Sequence, residues 1–170
     1  MKLIIVNSMT SGQKHDKATT ILCIPFSLLI GVFLGIQSAV IAGISFILGG
    51  LWLSPDLDIR SLCLKRWGYL KFFWWPYRKF ISHRSFLSHG PFIGSILRIT
   101  YLIAIAFILK ILIQALGIEV PFISINQLKI LIAKYPEQVL AIAIGVEASA
   151  WLHLILDGDP LPIKLKKSKT

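Results

Sequence analysis

From Thr19 to Leu53 the chain runs apolar for 35 residues without a single charge. As one helix that stretch would measure about 52 Å at 1.5 Å per residue, while a bilayer crossing takes roughly 20 residues. It must therefore fold back. Gly35-Ile36-Gln37-Ser38 is the natural place for a tight turn, which predicts a helical hairpin of two spans of about 17 residues each.

Composition supports lipid as the main solvent: 55% of the 170 residues are hydrophobic and 15% are charged, against about a quarter charged in a soluble domain. A third span is expected over Phe92 to Leu116, entered through Gly90-Pro91 and left before Gly117. A fourth is expected over Gln138 to Leu156. Between them residues 118–137 hold Pro121 and Pro136 and read as a loop with room for one short amphipathic helix. The expected fold class is all-α: an integral membrane bundle of about four transmembrane helices. It forms a single membrane domain over 1–170, with residues 1–10 as an extension, 59–90 as a basic aromatic interfacial loop and 161–170 as a basic tail.

Lys and Arg in the flanking segments set the orientation. The N-terminal segment carries Lys2, Lys14 and Lys17, the central loop seven such residues from Arg60 to Arg84, and the tail four from Lys164 to Lys169. With four spans all of these share one face, expected to be cytoplasmic, against Lys129 and Lys134 on the other. The central loop interleaves its cations with Trp67, Tyr69, Phe72, Phe73, Trp74, Trp75, Tyr77 and Phe80. Such a segment suits a bilayer with anionic headgroups. Nucleic acid, which basic-aromatic patterns also bind, is the weaker partner beside membrane spans. Met1 to Ser8 offers only a four-residue apolar run, so no cleaved signal is expected, and Cys23 and Cys63 read as free thiols.

All four histidines, His15, His83, His89 and His153, fall at or near the expected cytoplasmic face, accompanied by Asp16, Asp56, Asp58 and Asp157. Imidazole and carboxylate together are ligands for zinc, manganese or iron. His153 and Asp157 stand four apart, on one face of a helix and one turn from each other; a polar pair at a helix end reads equally well. Asp56 and Asp58 follow a proline past a helix end, where they converge on an ion or merely cap a turn. Between His83 and His89 sits Arg84, whose planar fork suits a phosphate or carboxylate. Glu147 falls mid-span, where a charge is costly and calls for protonation or a partner; Arg98 is either that partner or a snorkelling cation.

Ser11-Gly12-Gln13-Lys14-His15-Asp16, Leu53-Ser54-Pro55-Asp56-Leu57-Asp58, Trp74-Trp75-Pro76-Tyr77-Arg78-Lys79, His83 through Pro91, and His153 with Asp157 resemble a bacterial, often cyanobacterial, family of metal-binding integral membrane proteins of unknown function. The likeness spans about residues 9 to 160. More distantly the chain is similar to membrane-bound metal-dependent hydrolases, a group related to zinc phospholipases C and single-strand nucleases. It departs from them at Gly90, where they usually carry serine. The resemblance implies metal-ligand roles for His15, Asp56, His83, His89, His153 and Asp157, with Asp58 as ligand or catalytic base; in a hydrolytic mechanism Arg84 is expected on the charged transition state. Four histidines and three aspartates exceed the needs of one tetrahedral ion, so one to three divalent transition-metal ions, zinc or manganese, are expected, with a phosphoester substrate, soluble or lipid-linked, at the cytoplasmic face of a bacterial inner membrane or a thylakoid. A non-catalytic metal-binding or assembly protein is the alternative. A transporter ranks last, because its ligands belong near the midplane.

Overall fold

The computed structural model describes residues 2–158, with side chains from Gly12 onward. The extension expected at 1–10 and the basic tail at 161–170 lie outside the residues whose side chains are described. Among the described residues there are helices and no strand.

Helix α1 (Lys2–Trp52) doubles back at Gly35, whose φ of 78° and ψ of 172° lie outside the helical region. A positive φ is nearly free of cost only for glycine. Contacts between the two arms establish the hairpin: the Ser27 hydroxyl donates to the Ala39 carbonyl, the Cys23 thiol to the Gly43 carbonyl 3.5 Å away, and Phe26 stacks on Phe46 with ring centroids 4.7 Å apart. The expected turn and the structural one coincide because Gly35, followed by Gln37 and Ser38, lies near the middle of the apolar run.

Two further long helices follow, α5 (Ile93–Ala115) and α7 (Pro136–Leu156). By length and composition, three helices, α1, α5 and α7, are apolar enough to cross a membrane. Large apolar side chains such as Ile24, Leu28, Val32, Phe33 and Ile36 are exposed along the hairpin, as they would be beside lipid. Helix α6 (Ile125–Lys134) fills the segment expected to hold a short amphipathic helix and starts at a capping box of Ser124 and Gln127.

Helix α7 packs along the second arm of α1 through small residues. Ala141, Gly145 and Ser149 recur every four positions and are buried, facing Ala42, Ser45 and Gly49. A Cβ added to Gly145 would sit 2.6 Å from the Ala42 carbonyl oxygen. Such spacing lets two backbones approach closely, the main source of helix attraction where lipid offers no hydrophobic drive. The two segments run in the same direction, so α7 delivers its C-terminal end to the same level as the end of α1.

The central segment is more ordered than the loop expected there. It forms a 3-10 turn at Pro55–Asp58, then α2 (Leu62–Arg66), a 3-10 stretch at Gly68–Trp74, α3 (Trp75–Phe80) and α4 (Phe86–His89). Its aromatic residues divide. Trp74 and Tyr77 are buried with Leu57, Cys63 and Leu64 in a core beneath α5, while Tyr69, Phe72, Trp75 and Phe80 are exposed. The basic-aromatic pattern hides this division because an unbroken aromatic run says nothing of facing, whereas successive residues of a 3-10 helix point about 120° apart. Arg66 ties the segment to α1, donating to the Leu51 carbonyl at 3.0 Å and pairing with Asp16. Asp16 thereby leaves the histidine group it was expected to join.

Candidate metal centre

A serine cap positions the acidic turn. Ser54 precedes Pro55 and accepts from the Asp56 amide, so a single 3-10 turn follows the end of α1. With about three residues per turn, Asp56 and Asp58 project in different directions. Asp56 Oδ1 lies 3.5 Å from His153 Nε2. Asp58 is shared, its Oδ1 at 2.9 Å from His83 Nδ1 and its Oδ2 at 3.5 Å from His89 Nδ1. The two carboxylates therefore serve separate imidazoles rather than converging on one point.

Helix α7 adds His153 and Asp157. The four-residue spacing places His153 Nε2 3.4 Å from Asp157 Oδ2. Asp157 Oδ1 in turn meets His15 Nε2 at 2.8 Å, and the His15 and His153 rings stack with centroids 4.1 Å apart. His83, just before the serine-capped α4, and His89, its last residue, have ring centroids 5.0 Å apart.

Two groups of potential ligands result, each with donor atoms within 4.8 Å of one another: Asp56, His89, His153 and Asp157 in one, and Asp58, His83 and His89 in the other. His89 belongs to both. Separations of 3.4 to 3.5 Å between His153 Nε2 and its two carboxylates are long for hydrogen bonds. They suit two donors around a shared ion, which stand about 3 to 4 Å apart when each bond is about 2.0–2.2 Å. His89 Nε2, His153 Nε2 and Asp58 Oδ2 are buried without a hydrogen-bond partner. Unpaired buried lone pairs are costly, and a divalent cation would use them; the donor set thus fits such an ion.

Two serines orient these rings. Ser88 Oγ donates to the Ser82 or Ser85 carbonyl, at 3.1 and 3.3 Å, and lies 2.8 Å from His89 Nδ1. A hydroxyl has one proton; with it given to a carbonyl, the serine accepts from Nδ1–H and leaves Nε2 as a lone-pair donor. Ser54 Oγ stands 3.2 Å from His153 Nδ1. Metal-binding histidines are held in this way by a partner on the opposite ring nitrogen. Sequence reasoning passed over both serines. Their adjacency to Asp56 and His89 was the available signal, but a helix cap explains each equally well.

Arg98 neither snorkels nor pairs with Glu147. It is 2% exposed and donates to the Ser88 carbonyl at 2.8 Å and the Ser95 hydroxyl at 3.1 Å, bracing α4 from below. Glu147 instead accepts from the Phe92 amide at 2.8 Å, at the N-terminal end of α5 where unpaired amides favour an anion. Arg84 is exposed, with a φ of 56°, and makes none of the ion pairs of the cluster.

Burial drives the His89 imidazole down to about 4, favouring its neutral form. The hydrogen bond to Asp58 raises His83. For Asp157 burial opposes ionisation, but the contacts with His15 and His153 prevail and hold it below the usual carboxylate range. Cys63, buried beneath the cluster, has its thiol pushed up to about 12 by burial, and neither cysteine belongs to a ligand group.

Residues 10–167 match the family described as "Uncharacterized metal-binding protein (DUF2227)". The chain belongs to this family. The description of the family and the two His/Asp groups agree on metal binding. An uncharacterized protein of Aquifex aeolicus (strain VF5) is 39% identical over 61 residues, covering 35% of this chain and 43% of that protein. The aligned segment thus spans less than half of that relative. No solved structure matches the chain.

Proposed function

We propose that this member of the metal-binding family crosses the bilayer four times and acts as a metal-dependent hydrolase on a phosphoester at the cytoplasmic face. The observation that carries the reading is the pair of ligand groups joined through His89, in which the buried Nε2 atoms of His89 and His153 have no hydrogen-bond partner. The four crossings are the two arms of α1 with α5 and α7, which leave the basic N-terminal and central segments on one side.

His15, Asp56, Asp58, His83, His89, His153 and Asp157 would hold one to three zinc or manganese ions. A divalent cation supplies Lewis acidity toward a phosphoryl oxygen and a lowered pKa for the attacking water. The remaining work falls to the chain. Asp58, whose side chain is fully enclosed, holds Nδ1 of the more exposed His83; this is the carboxylate-imidazole arrangement that readies a ring to accept a proton. Where His83 Nε2 is left uncoordinated, Asp58 acts as base through His83, since one lone pair cannot both hold an ion and take a proton. Arg84, exposed next to it, is free to swing onto the negative charge that builds up on a phosphoryl group.

Purified protein and a His153→Ala variant, incubated with generic phosphodiesters with and without zinc or manganese, test this reading. Metal-dependent turnover lost in the variant is expected. Stoichiometric metal without turnover on any phosphodiester would leave a non-catalytic metal-binding protein, and absence of bound metal would overturn both.

A further inference from the structure

The first arm of α1, α5 and α7 enclose an apolar groove of about 1180 Å³. Leu22, Pro25 and Leu29 form its wall on α1, Phe92, Ile96 and Ile99 that on α5, and Leu140, Ile144 and Trp151 that on α7; Ser95 and Glu147 are its polar members. Glu147 is already engaged by the Phe92 amide, so the groove offers hydrocarbon to whatever enters.

Each wall lies close along the chain to a residue of the cluster. His15 precedes Leu22 by seven positions, which on a helix is the same face about 10.5 Å away. His89 precedes Phe92 by three positions; on α7, His153 and Asp157 lie two positions either side of the lining residue Ile155, about 200° round the helix, so they share its level but face the hairpin. The apolar groove thus ends at the level of the candidate metal centre and meets it along the His15 face of α1.

We infer that the groove receives the hydrocarbon chain of a bilayer amphiphile whose anionic phosphate head reaches the His/Asp cluster. The inference rests on the proposed phosphoester reading and narrows it to a lipid-linked substrate. Charge complementarity selects the head, since cation-loaded imidazoles beside exposed Arg84 favour a phosphate over an uncharged group. The lining selects the tail. Helix partners in lipid meet through small residues, as α7 meets α1 at Gly145 and Ala42, whereas the groove is walled mainly by Leu, Ile, Phe and Trp. Bulky, uneven walls suit a flexible chain better than a second helix. Holding the chain there fixes the head over the cluster, which removes part of the entropic cost of bringing the reacting groups together.

The full-length, zinc-loaded protein in bilayer discs would be labelled with two photoactivatable lipids that carry the reactive group on the acyl chain, one with a phosphate head and one with an uncharged glycerol head. Labelled peptides from 22–29 and 139–155, stronger for the phosphate lipid, are expected. Labelling of these segments should fall about tenfold in Ala143→Trp and in Ala148→Trp, two positions that line the groove, while bound metal stays unchanged. Labels spread evenly over α6 and the outer face of the hairpin would overturn the inference, as would labelling that ignores the head or survives both tryptophans. Because zinc content and labelling are read separately, loss of the metal reading and loss of the groove reading are distinguished.

Discussion

His15 Nε2 and Asp157 Oδ1, from opposite ends of the described chain, stand 2.8 Å apart. The contact closes the cluster on the side of α1, because Asp157 also faces His153 at 3.4 Å through its other oxygen. Helices α1 and α7 are thus joined through one carboxylate, and the packing that places them there is open to test.

The serines behind the histidines should set metal affinity. Ser88→Ala removes the acceptor 2.8 Å from His89 Nδ1, and Ser54→Ala the hydroxyl beside His153 Nδ1. Loss of such a partner costs about 10- to 100-fold in affinity. Competition with a chromogenic zinc chelator should show a drop of that size in each variant, and an unchanged dissociation constant would remove their orienting role.

Gly145 should be intolerant of any larger side chain. A Cβ there meets the Ala42 carbonyl oxygen at 2.6 Å and the Ser45 Cβ at 2.8 Å, so Gly145→Leu forces α7 off the hairpin. Overpacking of this kind costs about 1–3 kcal/mol or more. Detergent-solubilised Gly145→Leu should melt earlier and hold less metal, since His153 rides on the same helix two turns on. A melting temperature equal to the wild type would contradict the close approach.

Acid should destabilise the metal-free protein through His89. Its folded value, near 4, lies below the ordinary 6.5, so between those limits the unfolded chain binds more protons than the folded one. Stability from this group is therefore complete above about pH 6.5 and is lost as pH falls toward 4. His83 works in the opposite sense, its raised value adding stability on acidification. Denaturation midpoints between pH 7 and 4 should fall less steeply in His89→Gln than in the wild type; equal slopes would show that burial of His89 is not the cause.

Topology is open to labelling of single cysteines with Cys23 and Cys63 replaced. Gln13, Tyr69 and Gly158 are exposed at the cluster end, and Ile123 is exposed in the segment linking α5 to α6. Tyr69 is 99% exposed, whereas Ser61 is buried as a helix cap and would label poorly. The first three should react from the cytoplasmic side and Ile123 from the other. Reaction of Gln13 and Tyr69 from opposite sides is incompatible with one cluster, because no imidazole reaches across some 30 Å of hydrocarbon.

What the sequence determined by itself was local. An apolar run too long for one crossing, with its glycine at position 35, required a hairpin, and Gly90-Pro91, Gly117 and Pro136 bounded the other helices. Residue type singled out the histidines and aspartates, since few side chains coordinate metals and these gathered toward one expected face. Only the tertiary structure decided how they pair. The separation of Asp56 from Asp58, the place of His89 in both groups, the pairing of Asp16 with Arg66, and the diversion of Glu147 to the Phe92 amide depend on distances between remote segments. No spacing along the chain encodes those distances, because they arise from how closely Gly145 lets α7 approach the hairpin and from how the buried Trp74 and Tyr77 seat the central segment beneath α5.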